Sequence, residues 1–210
     1  MRIALFGISR SGKNYTIDDF IELSKGQGLD FIHLSPMDMV RERLGIRKLR
    51  DMSLEEKTVL VNEVRAEIDG ICEGHDVIVD EHYCYPATFG GKRLENGYFD
   101  EKLPNVILKV DGHDTDYEVV FPVSEYGKYD LILCMGIDPA IIVDRCRTSE
   151  GPKRNDDITV EQASRWQQVE IAGAFREGVI PDGSLITDPK RSGEQVFRTV
   201  LQYLNDGRDA

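Results

Sequence analysis

The segment Gly7-Ile-Ser-Arg-Ser-Gly12-Lys13 limits what this chain can fold into more than any other. It follows the short apolar run Arg2–Phe6 and opens a stretch in which Ile17, Phe20, Ile21 and Ser24 recur at helical spacing. A buried strand, a glycine-framed bend and a helix, in that order, build a phosphate-binding loop. Glycines let the backbone wrap an anion without a Cβ in the way. Backbone N–H groups at the helix start donate to that anion, and the helix dipole adds to the attraction. Lys13 brings a point charge to the outer phosphates of a triphosphate. Gly7, Ser9, Arg10, Ser11, Gly12, Lys13 and Asn14 are therefore the candidate ATP-binding residues. The residue after the lysine, normally a Ser or Thr that meets Mg²⁺, is Asn14 here. An amide oxygen is also a hard ligand, so Asn14 stays a candidate for the magnesium shell.

The rest of the chain alternates strand and helix patterns. Residues 30–34 read as a second strand and 36–44 as a short helix ending at Gly45. Ser53 and Glu56 stand at capping-box spacing before a longer helix with Leu60, Val64, Ile68 and Ile71 on one face. Residues 76–80 and 131–135 are further apolar strands. Asp138-Pro139 opens another helix, and Thr159 with Gln162 repeats the capping-box spacing before a helix to about Glu177. A short strand at 184–187 precedes a last helix with Val196, Val200, Leu201 and Leu204 inside. Such alternation predicts an α/β protein: a three-layer α/β/α P-loop domain with a five-stranded parallel sheet.

Residues 83–129 break the rhythm. Their turn signals Gly90-Gly91, Asn96-Gly97 and Asp111-Gly112 predict an inserted antiparallel β-hairpin region on the substrate side, with strands 105–110 and 117–121 flanking the Asp-Gly turn. Tyr83, Tyr85, Phe89, Tyr98 and Phe99 read as the small core of that insertion, or else as part of an acceptor pocket.

Composition narrows the function classes. The 210 residues suffice for one sizeable domain, and 40% apolar with 30% charged residues is the balance of a globular protein. A formal charge of −12 repels free nucleic acid, so a small anionic substrate held by converging cations is the expected partner. The four cysteines, Cys72, Cys84, Cys134 and Cys146, form no C-x-x-C pair and read as reduced thiols of a cytoplasmic protein. No apolar run approaches the length of a membrane span.

Acids gather after the third strand, in Asp80-Glu81-His82. The carboxyl ends of parallel strands face the ligand crevice in such folds. Asp80 is the expected carboxylate of the magnesium shell, and Glu81 and His82 are expected to orient substrate or accept a proton.

The arginines fall in a telling order. Ser35-Pro-Met-Asp38-Met-Val-Arg41 resembles the adenylate kinase segment whose arginine serves the monophosphate acceptor. Ile142-Val-Asp-Arg145 resembles the start of that family's lid, and Arg154-Asn-Asp-Asp, with Arg165 eleven residues on, resembles the lid's far end. Val77 to His82 is similar to the archaeal branch, and Thr187-Asp-Pro-Lys190 stands where the adenine-facing loop lies. The resemblance implies a nucleoside monophosphate kinase with a short lid at 146–157. It implies acceptor contacts at Ser35, Asp38 and Arg41, and ATP contacts at Arg145, Asp188 and Lys190. It makes Lys13, Arg41, Arg154 and Arg165, with Asp80, the catalytic set. Asn14, the very short lid and the lack of an Asp-Gly-Phe-Pro-Arg segment depart from the family pattern. Two alternatives stay open: a P-loop kinase of another acceptor, such as a modified nucleotide or a nucleic-acid base or end, and a nucleotide-binding regulatory module without catalysis.

Overall fold

A computed structural model of the chain describes residues 1–45, 52–86, 88–89, 92–93, 108–110, 113–115, 117–119, 121, 123–148, 158–175 and 181–206. Strand β1 (Arg2–Phe6) is buried along its whole length. That follows from its position in the middle of the sheet, with helices on both sides. The chain continues through α1 (Lys13–Lys25), β2 (Phe31–Leu34), α2 (Pro36–Leu44), α3 (Leu54–Cys72) and β3 (Asp76–Glu81). Six short strands follow: β4 (Cys84–Pro86), β5 (Thr88–Phe89), β6 (Lys92–Arg93), β7 (Leu108–Val110), β8 (His113–Thr115) and β9 (Tyr117–Val119). After a 3-10 helix, Val123–Lys128, come β10 (Leu131–Met135), α4 (Pro139–Thr148), α5 (Val160–Ala174), β11 (Leu185–Ile186) and α6 (Ser192–Asp206).

The main sheet has five parallel strands in the order β11-β10-β1-β3-β2, as the alternating pattern predicts. From β1 the chain crosses to β2 on one side, and from β3 it crosses to β10 on the other. The carboxyl ends of β1 and β3 therefore open onto the crevice where such sheets bind ligands. The helices begin where their caps dictate. Ser35 accepts from the Asp38 N–H at the start of α2, and full capping boxes, Ser53 with Glu56 and Thr159 with Gln162, start α3 and α5.

Strand alternation divides the core. Ile3, Leu5, Ile78, Leu133 and Met135 face α1 and α6, meeting Ile17, Phe20, Val196 and Val200. Helices α4 and α5 extend that core with Ile142 and Trp166. Ala4, Phe6, Val77 and Val79 face the other way, against Val64 and Ile68 of α3. No described helix is long and apolar enough to cross a membrane.

The inserted region is antiparallel, but its pairing differs from the expected one. Val110 lies opposite His113, so β7 returns as β8, the pairing that a two-residue connection imposes. The run at 117–121 is thereby released from that hairpin. Its strand β9 pairs with β4 instead, with Cys84 opposite Val119 and Pro86 opposite Tyr117.

The α3 side holds a buried ion pair. Glu81, 2% exposed, receives both guanidinium arms of Arg65, with Nη2 to Oε2 at 2.9 Å, and the Tyr129 hydroxyl at 2.6 Å. Removing one partner of such a pair leaves an uncompensated charge in the core. Arg65→Met is therefore expected to cost about 3–5 kcal/mol, read as a lower urea midpoint. A loss below about 1 kcal/mol would mean that the pair behaves as a solvated surface bridge.

Candidate active site

The phosphate loop is shaped by its own backbone. Arg10 and Gly12 take positive φ of 66° and 102°, and the Ser11 N–H closes on the Ile8 carbonyl at 3.1 Å. A Cβ at Gly7 would lie 2.8 Å from Ser11 Oγ and 2.9 Å from Met135 Cβ, so the close approach of these chains requires glycine. At the helix start, α1 differs from α2, α3 and α5. No described side chain caps it and no acid stands in its first turn. Its leading N–H groups and the positive end of its dipole are left for an anion. Thr16 Oγ1 donates to Gly12 O at 3.0 Å and shares a hydrogen bond with Ser192 Oγ at 2.7 Å, tying the loop end to α6.

Lys13 is buried at 5% exposure, with its ammonium inside the site. It donates to the Gly7 carbonyl, approaches His82 Nε2 at 3.1 Å and lies 3.4 Å from Asp80 Oδ1. An ammonium has only donors, so His82 Nε2 accepts and the imidazole is neutral with its proton on Nδ1. Burial, then the charges of Lys13 and Arg41, hold the His82 pKa well below its usual value. Asp80 Oδ1 is buried and makes no hydrogen bond among the described residues. A carboxylate oxygen with open lone pairs beside the loop suits Mg²⁺, a hard cation that takes few protein ligands and keeps its phosphate and water ones. Asp80 is thus the described residue whose chemistry fits the ion, and Asn14, also expected there, is exposed at the start of α1.

One residue of the site was not legible as such in the sequence. Glu170 of α5 is fully buried at 0% exposure. It accepts from the backbone N–H of Gly7 at 3.3 Å, of Tyr83 at 2.8 Å and of Cys84 at 3.1 Å, and from the Cys84 thiol at 3.6 Å. Its Oε1 faces His82 Nδ1 at 3.8 Å. Burial raises its pKa to about 7, against the pull of Lys13 and the Tyr83 and Cys84 amides. The available signal was an acid on the apolar face of α5, one turn beyond Trp166.

The expected site residues separate into those the fold brings together and those it does not. Arg145 reaches from α4 to the loop, donating to Ser11 O at 2.7 Å and Arg10 O at 3.3 Å. A Cβ at Gly12 would lie 2.8 Å from Arg145 Nη1. Ser9 is half-buried and Arg10 exposed along the same loop. Asp188 and Lys190 lie in the turn before α6, where the Asp188 carboxylate accepts from the Lys190 N–H at 2.9 Å and Gln195 holds the Asp188 N–H at 3.1 Å. Ser35 caps α2, and Asp38 pairs with Arg41 at 2.6 Å on an exposed face. Arg165 is exposed and pairs with Glu161 at 2.7 Å, one turn back on its own helix. Arg154 and most of the expected lid lie outside the described residues, as do Tyr98, Phe99 and the side chains of Tyr85 and Phe89. Tyr83 packs against both cores. Glu81, expected to orient substrate, points to the α3 side. It pairs in register with Phe6, whereas Asp80 pairs with Leu5, so the two acids face opposite ways.

No protein-family model and no curated protein matches the chain. Among solved structures, shikimate kinase from Bacteroides thetaiotaomicron is similar over 98% of this chain and 98% of its own, at 12% identity and a TM-score of 0.53. Deoxyadenosine kinase from M. mycoides, solved with dCMP and dCDP, is similar over 96% of this chain and 100% of its own, at 12% identity and a TM-score of 0.51. Both likenesses are of fold, and they make this an α/β P-loop kinase-like fold.

Glu170 carries a pH signature. Its folded pKa of about 7 stands above the ordinary 4.5. Between those values the folded chain keeps a proton that the unfolded chain has lost. The resulting stabilisation is full below pH 4.5 and is lost as pH rises through 7. The stability of the wild type relative to Glu170→Gln is expected to fall from pH 5 to pH 7, by at most about 1.4 kcal/mol per pH unit. Urea unfolding at several pH values measures it, and a pH-independent difference would refute the assignment.

Proposed function

We propose that the protein is an ATP-dependent phosphotransferase that moves the γ-phosphoryl group of ATP to a nucleoside monophosphate or a related nucleotide. One observation carries the reading: a buried lysine ammonium sits inside a glycine-framed loop at an uncapped helix start, 3.4 Å from a carboxylate oxygen that has no other partner among the described residues. Two fold neighbours of full-length coverage are kinases by name, and one of them was solved with nucleotides. That is support by analogy of fold.

In this reading the α1 and loop amides hold the inner phosphates, and Lys13 leaves the Gly7 carbonyl to neutralise the outer ones. Arg145 braces the loop from α4 on the donor side. Asp80 and Asn14 would hold Mg²⁺, which when bound offsets charge on the phosphate oxygens. Arg41, whose charge is felt at His82, stands on the acceptor side of the crevice. Asp188 and Lys190 fall beside α6 on the donor side. Arg154 and Arg165 would come from the lid side, and Arg165 must leave Glu161 to take part. The transfer breaks the bond between the γ-phosphorus and its bridging oxygen, releasing ADP, and forms one to the acceptor oxygen. A monophosphate acceptor is already ionised, so no base is needed.

The open Asp80 oxygen favours a second reading, in which the acceptor is a hydroxyl. A hydroxyl must lose its proton, and in this reading the Asp80 Oδ1, which makes no hydrogen bond among the described residues, would take it. Asp80→Asn separates the two readings. A base role makes the loss of rate grow toward high pH, whereas an ion-holding role is eased by raised Mg²⁺.

A thermal-shift screen of nucleoside mono- and triphosphates with Mg²⁺, followed by an ADP-release assay with each monophosphate, tests the main reading. ATP is expected to raise the melting temperature, and one monophosphate to accelerate ADP release. Lys13→Ala is expected to lower kcat/KM by about 10²–10³-fold. An unchanged kcat/KM in that variant would sink the assignment of the ATP site.

A further inference from the structure

We infer that Glu170 is a positioning residue of the phosphate site: from α5 it holds the backbone amides that neighbour the two groups gripping Lys13. The inference rests on the phosphoryl-transfer reading above.

The geometry is particular. Two of the groups that grip the Lys13 ammonium are the Gly7 carbonyl and His82 Nε2. Glu170 takes the N–H of that same Gly7, at 3.3 Å. It also takes the N–H of Tyr83, at 2.8 Å, which belongs to the peptide unit joining His82 to Tyr83. Each grip on the lysine is thus held one peptide away by one carboxyl group. The group also faces His82 Nδ1 at 3.8 Å, on the ring edge opposite the lysine.

A purely structural link between α5 and β4 does not require this residue. Trp166 already makes one, with its indole N–H donating to Cys84 O at 3.0 Å, and it buries no charge. Taking a carboxylate at 0% exposure out of water is costly. What it supplies that a neutral group cannot is chemical. Three backbone donors from two separate chain segments converge on it, and its ionised form, which prevails above about pH 7, is acceptor-only, with about four lone-pair sites. A glutamine would turn its NH₂ toward at least one donor. The residue therefore fits the task of holding β1's exit and the start of the inserted region in one register with the loop lysine between them.

The test compares wild type with Glu170→Gln, Glu170→Asp and Trp166→Phe. ATP·Mg binding is measured by titration calorimetry, slow ATP hydrolysis with water as acceptor by ADP release, and the fold by melting temperature. In Glu170→Gln the hydrolysis rate at saturating ATP is expected to fall about 10- to 100-fold, more than Kd rises, because misplacing Lys13 hurts the transition state most. Trp166→Phe is expected to lower the melting temperature yet keep the rate within about twofold. Glu170→Asp keeps the charge but shortens the reach, and it carries the test should Glu170→Gln not fold; its rate is expected to fall as well. Wild-type rates in the Glu170 variants overturn the inference. So do rates that follow melting temperature alike across all three variants, since that is a stability effect. A wild type that binds no ATP·Mg overturns the phosphoryl-donor reading and this inference with it. A wild type that binds ATP·Mg while the Glu170 variants match it overturns this inference alone.

Discussion

The leading N–H groups of α1 have no carbonyl to meet within the helix, and no described side chain takes one. Everything around the crevice is arranged about that open, positive helix end. It follows a fully buried strand, so the loop between them cannot drift. The loop is held from three directions: Arg145 of α4 on the Ser11 carbonyl, Ser192 of α6 on Thr16, and Glu170 of α5 on the Gly7 amide. Three helices distant in sequence thus meet the stretch from Gly7 to Thr16. The anchors leave the concave face of the loop to the lysine and to whatever anion it takes.

The period-2 geometry of β3 then sorts the charges. Asp80 shares a sheet face with Leu5 and α1, and there it meets Lys13. Glu81 shares the opposite face with Phe6 and α3, and there it meets Arg65 and Tyr129. Adjacent acids therefore do unrelated work. Asp80 turns a buried oxygen toward Lys13 at 3.4 Å, while Glu81 ties α3 to the sheet. A pairing as complete as that of Glu81 leaves no lone pair in a useful direction, which is why it reads as part of the frame.

Much of this was legible in the sequence, and the reasons are local. The loop, the caps at Ser35, Ser53 and Thr159, and the five parallel strands follow from short-range rules that a single segment satisfies alone. What one segment does not settle is which partner a strand or a side chain finds in the fold. Alternation along β3 was enough to set Glu81 apart from Asp80, but only Arg65, sixteen residues earlier, shows what holds it. The return strand of the inserted hairpin begins at His113 because of its two-residue connection, and the fate of β9 depends on β4, more than thirty residues before it. Arg165 stands at the spacing the family resemblance implied, and in this structure it pairs with Glu161 of its own helix. Spacing along a chain does not say which way a long side chain leans.

Glu170 is the sharpest of these cases. On the helix pattern of α5 it falls among Ala163, Trp166, Val169 and Gly173, a face that should be apolar throughout. An acid there contradicts the pattern, and a buried acid is costly enough that such contradictions are kept for a use. Its partners could not be named beforehand, because backbone amides carry no sequence signal. What the sequence does offer is the mismatch itself. Helix α5 packs against β1 and β10, and at this position its acid reaches the Gly7 amide where β1 leads into the loop. The mismatch marks the residue as unusual, and only the folded contacts show that it touches the phosphate loop.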